Sequence, residues 1–160
     1  MNPFVISREF DAPRERVWQA WTEPERLQQW FSPKGFSVIA AKLDLRTGGT
    51  YHYGMRMADG REVWGKWLIR EVKRPERLVF INTFSDPQGG LTRHPFSPDW
   101  PAKMLSTITF AEKVTQGDQV SYHANAKKDD KLFRLEFDAD GKTTLAHEVK
   151  VTMVFNRAPE

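Results

Sequence analysis

The chain has 160 residues, of which 39% are hydrophobic and 28% are charged, and its formal net charge is +3 at pH 7. This composition is typical of a globular protein and excludes an intrinsically disordered chain. The absence of cysteine excludes disulfide bonds, thiolate metal ligands and a cysteine nucleophile. Positive and negative residues are interspersed, so no basic stripe indicates binding to nucleic acid. We expect one domain over residues 1–160.

The N-terminal residues lack the features of an export signal. Residues 1–7 contain no basic segment followed by a long apolar run. No apolar stretch approaches the roughly 18 residues that a membrane-spanning helix needs. We therefore expect a cytoplasmic protein without a membrane span.

The first part of the chain predicts a strand followed by two short helices. Phe4-Val5-Ile6 opens the strand, which ends near Asp11. A helix is predicted over about residues 13–21, because three apolar residues fall at helical spacing on one side: Val17, Trp18 and Trp21. A second short helix follows Glu23-Pro24. Its predicted buried side consists of Leu27, Trp30 and Phe31.

From Phe36 onward, alternating apolar and polar residues predict an antiparallel meander. Asp59-Gly60 is the clearest hairpin signal, because this pair readily adopts positive φ. A proline-rich stretch over residues 85–101 predicts a long loop, placed to act as a lid. The predicted strands span residues 36–45, 50–57, 62–72, 77–84, 103–112, 119–126, 132–138 and 143–155.

Several motifs in the first two thirds of the chain form a specific set. In chain order they are Phe10-Asp11-Ala12-Pro13, the run from Val17 to Pro24, Leu27 with Trp30 and Phe31, Asp44-Leu45-Arg46, Gly48-Gly49, Asp59-Gly60, Trp64-Gly65, the run from Pro75 to Phe80, His94-Pro95, and the strand from Met104 to Phe110. The set resembles the bacterial homologues of the activator of heat-shock protein 90 ATPase, a START-like (SRPBCC) family. The resemblance implies an α+β helix-grip fold, in which a curved antiparallel sheet grips a long C-terminal helix and holds an apolar ligand between them.

The chain departs from this family pattern in its last third. After Phe155 only five mostly polar residues remain, so we expect the long C-terminal helix to be missing. The segment from about Gln116 to Gly141 is also longer and richer in strands than the family pattern.

Without the gripping helix, the concave face of the sheet is expected to expose a large apolar patch, which soluble monomers rarely tolerate. The residues expected on that face are Tyr53, Met55, Trp67 and Phe80. We predict that a homodimer partner, the proline-rich loop or a ligand closes the face.

Aromatic residues are the strongest functional signal, because the chain has six Trp and eleven Phe and several of them share a strand face. The predicted ligand-binding residues are Trp30, Tyr53, Met55, Trp64, Trp67 and Phe80. Each of them also suits ordinary core packing, since pockets and cores use the same residue types.

Catalytic and metal chemistry is only weakly indicated. The histidines lack the spacing of metal ligands, no nucleophile motif occurs, and the glycine doublets lack a phosphate-binding continuation. We therefore predict neither a metal nor another cofactor. Acid–base catalysis has four candidates, each of which is also an ordinary surface residue: Asp44, His52, Glu62 and His94.

Three functional hypotheses follow. The first is the binding of a small hydrophobic or aromatic molecule, such as a lipid or a polyketide-like metabolite, on the concave sheet face. The second, implied by the resemblance, is a chaperone-linked interaction protein. The third is a cavity enzyme of the cyclase or hydrolase type. The first is favoured, because the sequence signal is aromatic and not catalytic.

Overall fold

The structure, a computed structural model, describes residues 3–97, 99–116, 119–123, 125–128, 131–134 and 144–158. Side chains are described over residues 3–97, 99–112 and 150–158. The two helices are α1 (Arg14–Thr22) and α2 (Pro24–Trp30). The strands, in chain order, are β1 (Phe4–Asp11), β2 (Phe36–Leu43), β3 (Thr50–Met57), β4 (Glu62–Lys73), β5 (Arg77–Ser85), β6 (Leu91–Thr92), β7 (Lys103–Gln116), β8 (Gln119–His123), β9 (Asn125–Lys128), β10 (Lys131–Arg134) and β11 (Thr144–Arg157).

Nine of these strands form one antiparallel sheet. Its continuous order is β1-β11-β7-β5-β4-β3-β2, with β6 beside β5 and β8 beside β7. β9 and β10 form a separate two-stranded sheet. Both helices pack on one face of the large sheet, which confirms the predicted α+β helix-grip class. Among the described residues, no helix follows β11.

The hairpin predicted at Asp59-Gly60 is confirmed. It joins β3 to β4, with Arg56 opposite Glu62. Gly60 has a φ of 87°, which glycine adopts without strain. The Asp59 carboxylate accepts a hydrogen bond from the Arg61 backbone N–H at 3.1 Å. Because turn geometry fixes register, this turn determines which side chains of the two strands face the helices.

The corner between α1 and α2 is built by Pro24 and Trp30. Pro24 has no backbone N–H, so it cannot donate to the carbonyl oxygen of Ala20, four residues earlier. The Trp30 indole N–H donates to that oxygen instead, at 2.9 Å. Trp30 is consequently 43% exposed, and its predicted place on the buried side of α2 is wrong. Leu27 is fully buried, as predicted.

The helices cover the central part of the sheet face. Phe31, just after α2, packs edge-on against Tyr53 and Trp67, with ring centroids 5.0 and 5.2 Å apart. Trp67 in turn stacks on Phe80, with centroids 4.0 Å apart. Tyr53, Met55, Trp67 and Phe80 are 8%, 7%, 1% and 3% exposed. The expected exposure of these four residues is therefore wrong, because they belong to one buried core cluster with the helix residues Val17, Trp18, Trp21 and Leu27.

The last third of the chain differs from the predicted strands. β7 continues to Gln116 and forms a hairpin with β8. The single strand predicted over 119–126 is wrong, because β8 pairs in the large sheet whereas β9 pairs with β10. Alternation alone does not reveal which partner a strand will have. Of the predicted strand over 132–138, residues 135–138 lie outside the described residues.

The predicted loop over residues 85–101 contains the short strand β6, which pairs with the end of β5. Its first turn lies against the sheet face that is opposite to the helices. There the Lys66 ammonium donates to the Gly89 carbonyl oxygen at 2.9 Å, and a ring nitrogen of His52 lies 3.1 Å from the Asp86 carbonyl oxygen. This part of the loop therefore covers the other side of the sheet.

Candidate functional site

A cavity of about 430 Å³, which we call the first cavity, opens between the helices and the β1–β11 side of the sheet. Val17, Trp21 and Val151 are buried and form its floor. Phe10 and Trp30, each 43% exposed, lie at its mouth. The remaining lining residues are Arg8, Ala12, Arg16, Ala20 and Met153. Apart from the two arginines, the lining is apolar.

A second cavity of about 230 Å³ adjoins the first, because Trp21, Trp30 and Met153 line both. It extends over the central strands β5 and β7. Its further lining consists of Phe31, Trp67, Phe80, Asn82, Ser106, Ile108 and Phe155. We call the two cavities together the cleft. The cleft lies between the helices and the sheet. In the rest of the fold, the space between these two layers is filled by the apolar core.

The second cavity contains two polar side chains in an otherwise apolar wall. Ser106 is fully buried, and its hydroxyl has no hydrogen-bond partner among the described residues. A buried polar group without a partner costs about 1–3 kcal/mol. Asn82 is half-buried, and its Oδ1 accepts a hydrogen bond from the Tyr53 hydroxyl at 3.4 Å. Together with the Trp67 indole N–H, the Ser106 hydroxyl is therefore a buried polar group of this wall that has no hydrogen-bond partner among the described residues.

The buried tyrosines beside the cleft are neutral at physiological pH. Burial raises the pKa of Tyr51 to about 12. Burial, together with the charge that Tyr51 acquires when it ionises, raises the pKa of Tyr53 above its ordinary value. Both phenols therefore remain protonated near pH 7, and neither is a general base at that pH.

The six residues predicted to bind a ligand fall into three groups. Trp30, Trp67 and Phe80 line the second cavity. Tyr53 and Met55 are buried in the core beside it. Trp64 projects from the other face of β4, because it alternates with Trp67.

Trp64 lines a separate pocket of about 300 Å³ on that other face. Its indole N–H donates to the Glu62 carboxylate at 3.1 Å, and Glu62 also forms an ion pair with Arg56 at 2.8 Å. These contacts hold the pKa of Glu62 below its ordinary value. Glu62 therefore remains ionised and paired, which is the arrangement of a structural surface carboxylate.

The other acid–base candidates lie outside the cleft. Asp44 forms an exposed ion pair with Arg46 at 2.9 Å. His52 contacts the first turn of the 85–101 loop, as described above. The His94 ring packs against Phe84 with centroids 4.6 Å apart, and its Nδ1 accepts a hydrogen bond from the Phe96 backbone N–H. The structure does not bring these three candidates together.

Sequence reasoning missed several residues that line the cleft, although it did single out Trp30, which lines both cavities. Trp21 was expected to be buried, but nothing in its helical spacing indicated a ligand. Met153 and Phe155 belong to a predicted strand in which apolar and polar residues alternate. This alternation predicted that both side chains face the core, and it was the only sequence signal for their place in the cleft. Ser106 gave no signal, because a serine within a strand is ordinary until its surroundings are known.

Two further observations concern the described residues alone. They contain no group of three or more His, Cys, Asp or Glu side chains placed to hold a metal ion. Neither of the two helices within them is long and apolar enough to cross a membrane.

Comparison with solved structures identifies the same fold in bacterial proteins. A protein from Mycobacterium smegmatis is 24% identical, with a TM-score of 0.64, over 98% of this chain and 73% of that one. A protein from Arthrobacter aurescens is 20% identical, with a TM-score of 0.65, over 97% of this chain and 68% of that one. The AHSA1 protein from Silicibacter pomeroyi is 14% identical, with a TM-score of 0.59, over 99% of this chain and 82% of that one. At these identities the similarity shows a common fold.

No curated protein matches the sequence. A family model does match, over residues 11–134, and its description is "Activator of Hsp90 ATPase homolog 1-like protein". The matched segment includes both helices and strands β2 to β10, hence most of the motifs that carried the resemblance. The chain therefore belongs to the family of activator of Hsp90 ATPase homolog 1-like proteins.

Proposed function

We propose that the protein binds a small hydrophobic molecule, such as a lipid or a polyketide-like compound, in the cleft. The observation that carries this proposal is the pair of adjoining cavities, of about 430 and 230 Å³, with a common wall of Trp21, Trp30 and Met153. Ligand sites in proteins are concave, mostly apolar and typically about 300–1,000 Å³ in volume. The size and the lining of the cleft match this class of site.

Aromatic side chains at the mouth of the cleft favour an apolar ligand. Phe10 and Trp30 are each 43% exposed to solvent, although both border the apolar first cavity. A ligand that covers them removes apolar surface from water, at about 25 cal/mol for each Å². The Trp30 ring is already held by its hydrogen bond to the Ala20 carbonyl oxygen and by its packing against Trp21, so little ordering of this ring opposes the gain.

The polar groups of the second cavity favour a ligand with at least one hydrogen-bonding atom. Ser106 offers a fully buried hydroxyl that has no partner among the described residues. A hydrogen bond from the ligand to this hydroxyl contributes about 0.5–1.5 kcal/mol. On this proposal the sequence-predicted residues that contact the ligand are Trp30, Trp67 and Phe80.

Binding of a neutral apolar dye tests the proposal. N-Phenyl-1-naphthylamine fluoresces strongly when it enters an apolar site, and we expect saturable binding to the wild-type protein. Ala20→Phe places a phenyl ring into the first cavity, which Ala20 lines. Gln19→Phe is the matched control, because it adds the same ring on the same helix at a position that lines neither cavity.

We expect Ala20→Phe to weaken dye binding by about tenfold or more, and Gln19→Phe to leave it unchanged. At a dye concentration one hundred times the Kd, bound dye stabilises the fold by about 2.7 kcal/mol, which a melting curve detects. Equal binding by both variants excludes the cleft as the site. Absence of dye binding by the wild-type protein rejects the proposal itself.

A second candidate function is contact with a chaperone, which the family description suggests. The observation that favours it is an exposed apolar cluster on the 91–100 segment. Leu91, Phe96 and Trp100 are 53%, 53% and 46% exposed, and the His94 ring lies 6.1 Å from the Phe96 ring and 5.6 Å from that of Trp100. Such a cluster suits a protein partner.

The chaperone candidate is tested by the rate of ATP hydrolysis of a bacterial heat-shock protein 90, measured with and without this protein. The expected result is an increase that is lost in the Phe96→Ser, Trp100→Ser variant, while dye binding in the cleft persists. An unchanged ATPase rate with the wild-type protein counts against this function.

Two sequence predictions belong with these proposals. A cytoplasmic location is tested by cell fractionation. A homodimer is tested by light scattering of the purified protein, with and without the dye. A dimer that closes the cleft will dissociate as the dye binds, because both cover Phe10 and Trp30.

A further inference from the structure

We infer that the ligand of the cleft is an amphipathic anion, whose negative head group lies between Arg8 and Arg16 at the mouth of the first cavity. This inference rests on the proposed function, because the apolar body of the same molecule fills the cleft. It adds the chemical class of the head group to the apolar character that the cavity walls suggest.

The two arginines approach the first cavity from different elements. Arg8 lies on β1 directly opposite Val151 of β11, so the two side chains share the sheet face that faces the helices. Val151 forms part of the cavity floor. Arg16 belongs to the first turn of α1 and lines the opposite side of the same cavity. Both arginines are exposed, whereas the floor between them is buried.

Neither guanidinium is neutralised by the part of the chain that the structure describes. Arg8 donates a hydrogen bond to the Ser7 carbonyl oxygen at 2.9 Å, and neither arginine forms an ion pair there. Arg14, two residues from Arg16 on the same helix, does pair with Glu112, at 3.8 Å. Six other described arginines also pair with carboxylates: Arg26, Arg46, Arg56, Arg61, Arg74 and Arg77. Arg8 and Arg16 thus differ from most of the described arginines, which form ion pairs with carboxylates.

The position of Arg16 does not benefit the helix. The N-terminal turn of a helix carries a partial positive charge, which favours acidic and disfavours basic side chains. α1 has no side-chain cap at this end. An anion beside Arg16 therefore lies near the positive end of α1 as well as near a guanidinium group.

A guanidinium binds carboxylate or phosphate oxygens through two parallel N–H donors. Two such groups beside an apolar cavity favour a molecule that combines an anionic head with a hydrocarbon or aromatic body. A cationic amphiphile of the same length is repelled, and a neutral one gains only the apolar contacts.

Displacement of N-phenyl-1-naphthylamine from the full chain at pH 8 tests the inference. The competitors are decanoate, 1-decanol and decyltrimethylammonium, which share a decyl-length chain and differ in charge. The test variant is Arg8→Gln, Arg16→Gln. The matched control is Arg70→Gln, because Arg70 is also exposed and lines neither cavity.

We expect the double variant to bind decanoate about tenfold more weakly and 1-decanol equally well. Arg70→Gln should change neither affinity, and added salt should weaken decanoate binding only. Decyltrimethylammonium should compete poorly with the wild-type protein.

The outcomes separate the two proposals. If 1-decanol displaces the dye but decanoate binding does not depend on Arg8 and Arg16, the head-group inference is wrong and the apolar site stands. If the dye itself does not bind to the wild-type protein, both are wrong. Loss of affinity for decanoate and 1-decanol alike in the double variant also overturns the inference, because it indicates a disturbed cavity.

Discussion

At two positions in the central strands, glycine makes room for an aromatic ring. A Cβ atom on Gly65 would lie 2.3 Å from the Tyr53 ring, and one on Gly54 would lie 2.8 Å from the Trp64 ring. Tyr53 is opposite Gly65 in the register, and Gly54 is opposite Trp64. Each ring therefore lies flat over the glycine of the partner strand, one on each face of the sheet.

We predict that Gly65→Ala destabilises the protein by about 1–3 kcal/mol, because the new methyl group displaces the buried Tyr53 ring. The free energy of unfolding in urea measures the effect. In a Tyr53→Leu background the same substitution should cost much less, which a double-mutant cycle reports as a coupling energy. Equal costs in both backgrounds contradict this account.

Because the buried tyrosines have raised pKa values, the free energy of unfolding should fall as the pH rises in the alkaline range. An unfolded tyrosine ionises near pH 10, whereas Tyr51 in the folded chain has a pKa of about 12. The unfolded chain therefore holds fewer protons between these values, so stability is intact below pH 10 and is lost as the pH rises toward 12. We expect Tyr51→Phe to reduce this loss when unfolding is followed at pH 8, 10 and 11.5.

At pH 8 the Tyr51→Phe variant should be at least as stable as the wild type. The Tyr51 hydroxyl is buried and has no hydrogen-bond partner among the described residues, so removing it relieves a desolvation cost. An identical loss of stability between pH 10 and 12 in both proteins would assign the effect to other groups.

At the scale of elements, the corner between α1 and α2 depends on one indole. Trp30 supplies the hydrogen bond that Pro24 cannot give to the Ala20 carbonyl oxygen. The Trp30 ring also packs against Trp21, with centroids 4.6 Å apart. The same side chain therefore orients α2 and forms part of the cleft.

We predict that Trp30→Phe costs about 0.5–1.5 kcal/mol of stability, because it leaves the Ala20 oxygen without a protein donor. Trp100→Phe serves as the control, since Trp100 is also about half exposed, at 46%, and its indole N–H donates no hydrogen bond among the residues that the structure describes. Denaturant titration of both variants provides the measurement. Equal costs for the two variants indicate that the indole N–H contributes nothing.

Local patterns predicted the elements well where the signal is itself local. Alternation predicted the bounds of β3, β4 and β5 within a residue or two, and Asp59-Gly60 predicted the hairpin between β3 and β4. The pairing of β8 and β9 in different sheets was not predictable, because it depends on distant partners. Trp30 was misplaced for a related reason: helical spacing suggested burial, whereas the missing N–H of Pro24 determined where the indole lies.

At the scale of the whole molecule, the candidate site depends on elements that are far apart in sequence. The first cavity is formed by β1, α1, α2 and β11, so the first and the last described strands, which pair with each other, both contribute to it. Aromatic content alone predicted ligand-binding residues on the helix-facing side of the sheet, and three of them, Trp30, Trp67 and Phe80, line the second cavity. The meeting of Arg8 with Arg16 across an apolar floor required the fold.

We predict that one substitution at Arg16 has opposite effects on the stability of the fold and on the binding of an anionic ligand. Arg16→Glu places an acidic residue in the first turn of α1, which should stabilise the fold by about 0.3–1 kcal/mol at low salt. The same substitution should weaken decanoate binding more than Arg16→Gln does, because it reverses the charge. Thermal unfolding and dye displacement, measured on the same samples, test both parts. A variant that is less stable and binds decanoate normally contradicts both.

The exposed position of Phe10 and Trp30 has a consequence for the kinetics of binding. Because the first cavity opens directly to solvent between these rings, a ligand reaches it without a preceding opening of the protein. Association should then follow a single exponential whose rate rises linearly with ligand concentration. Differences in affinity among ligands of the same charge should appear mainly in their dissociation rates, and hence in how long each one stays bound.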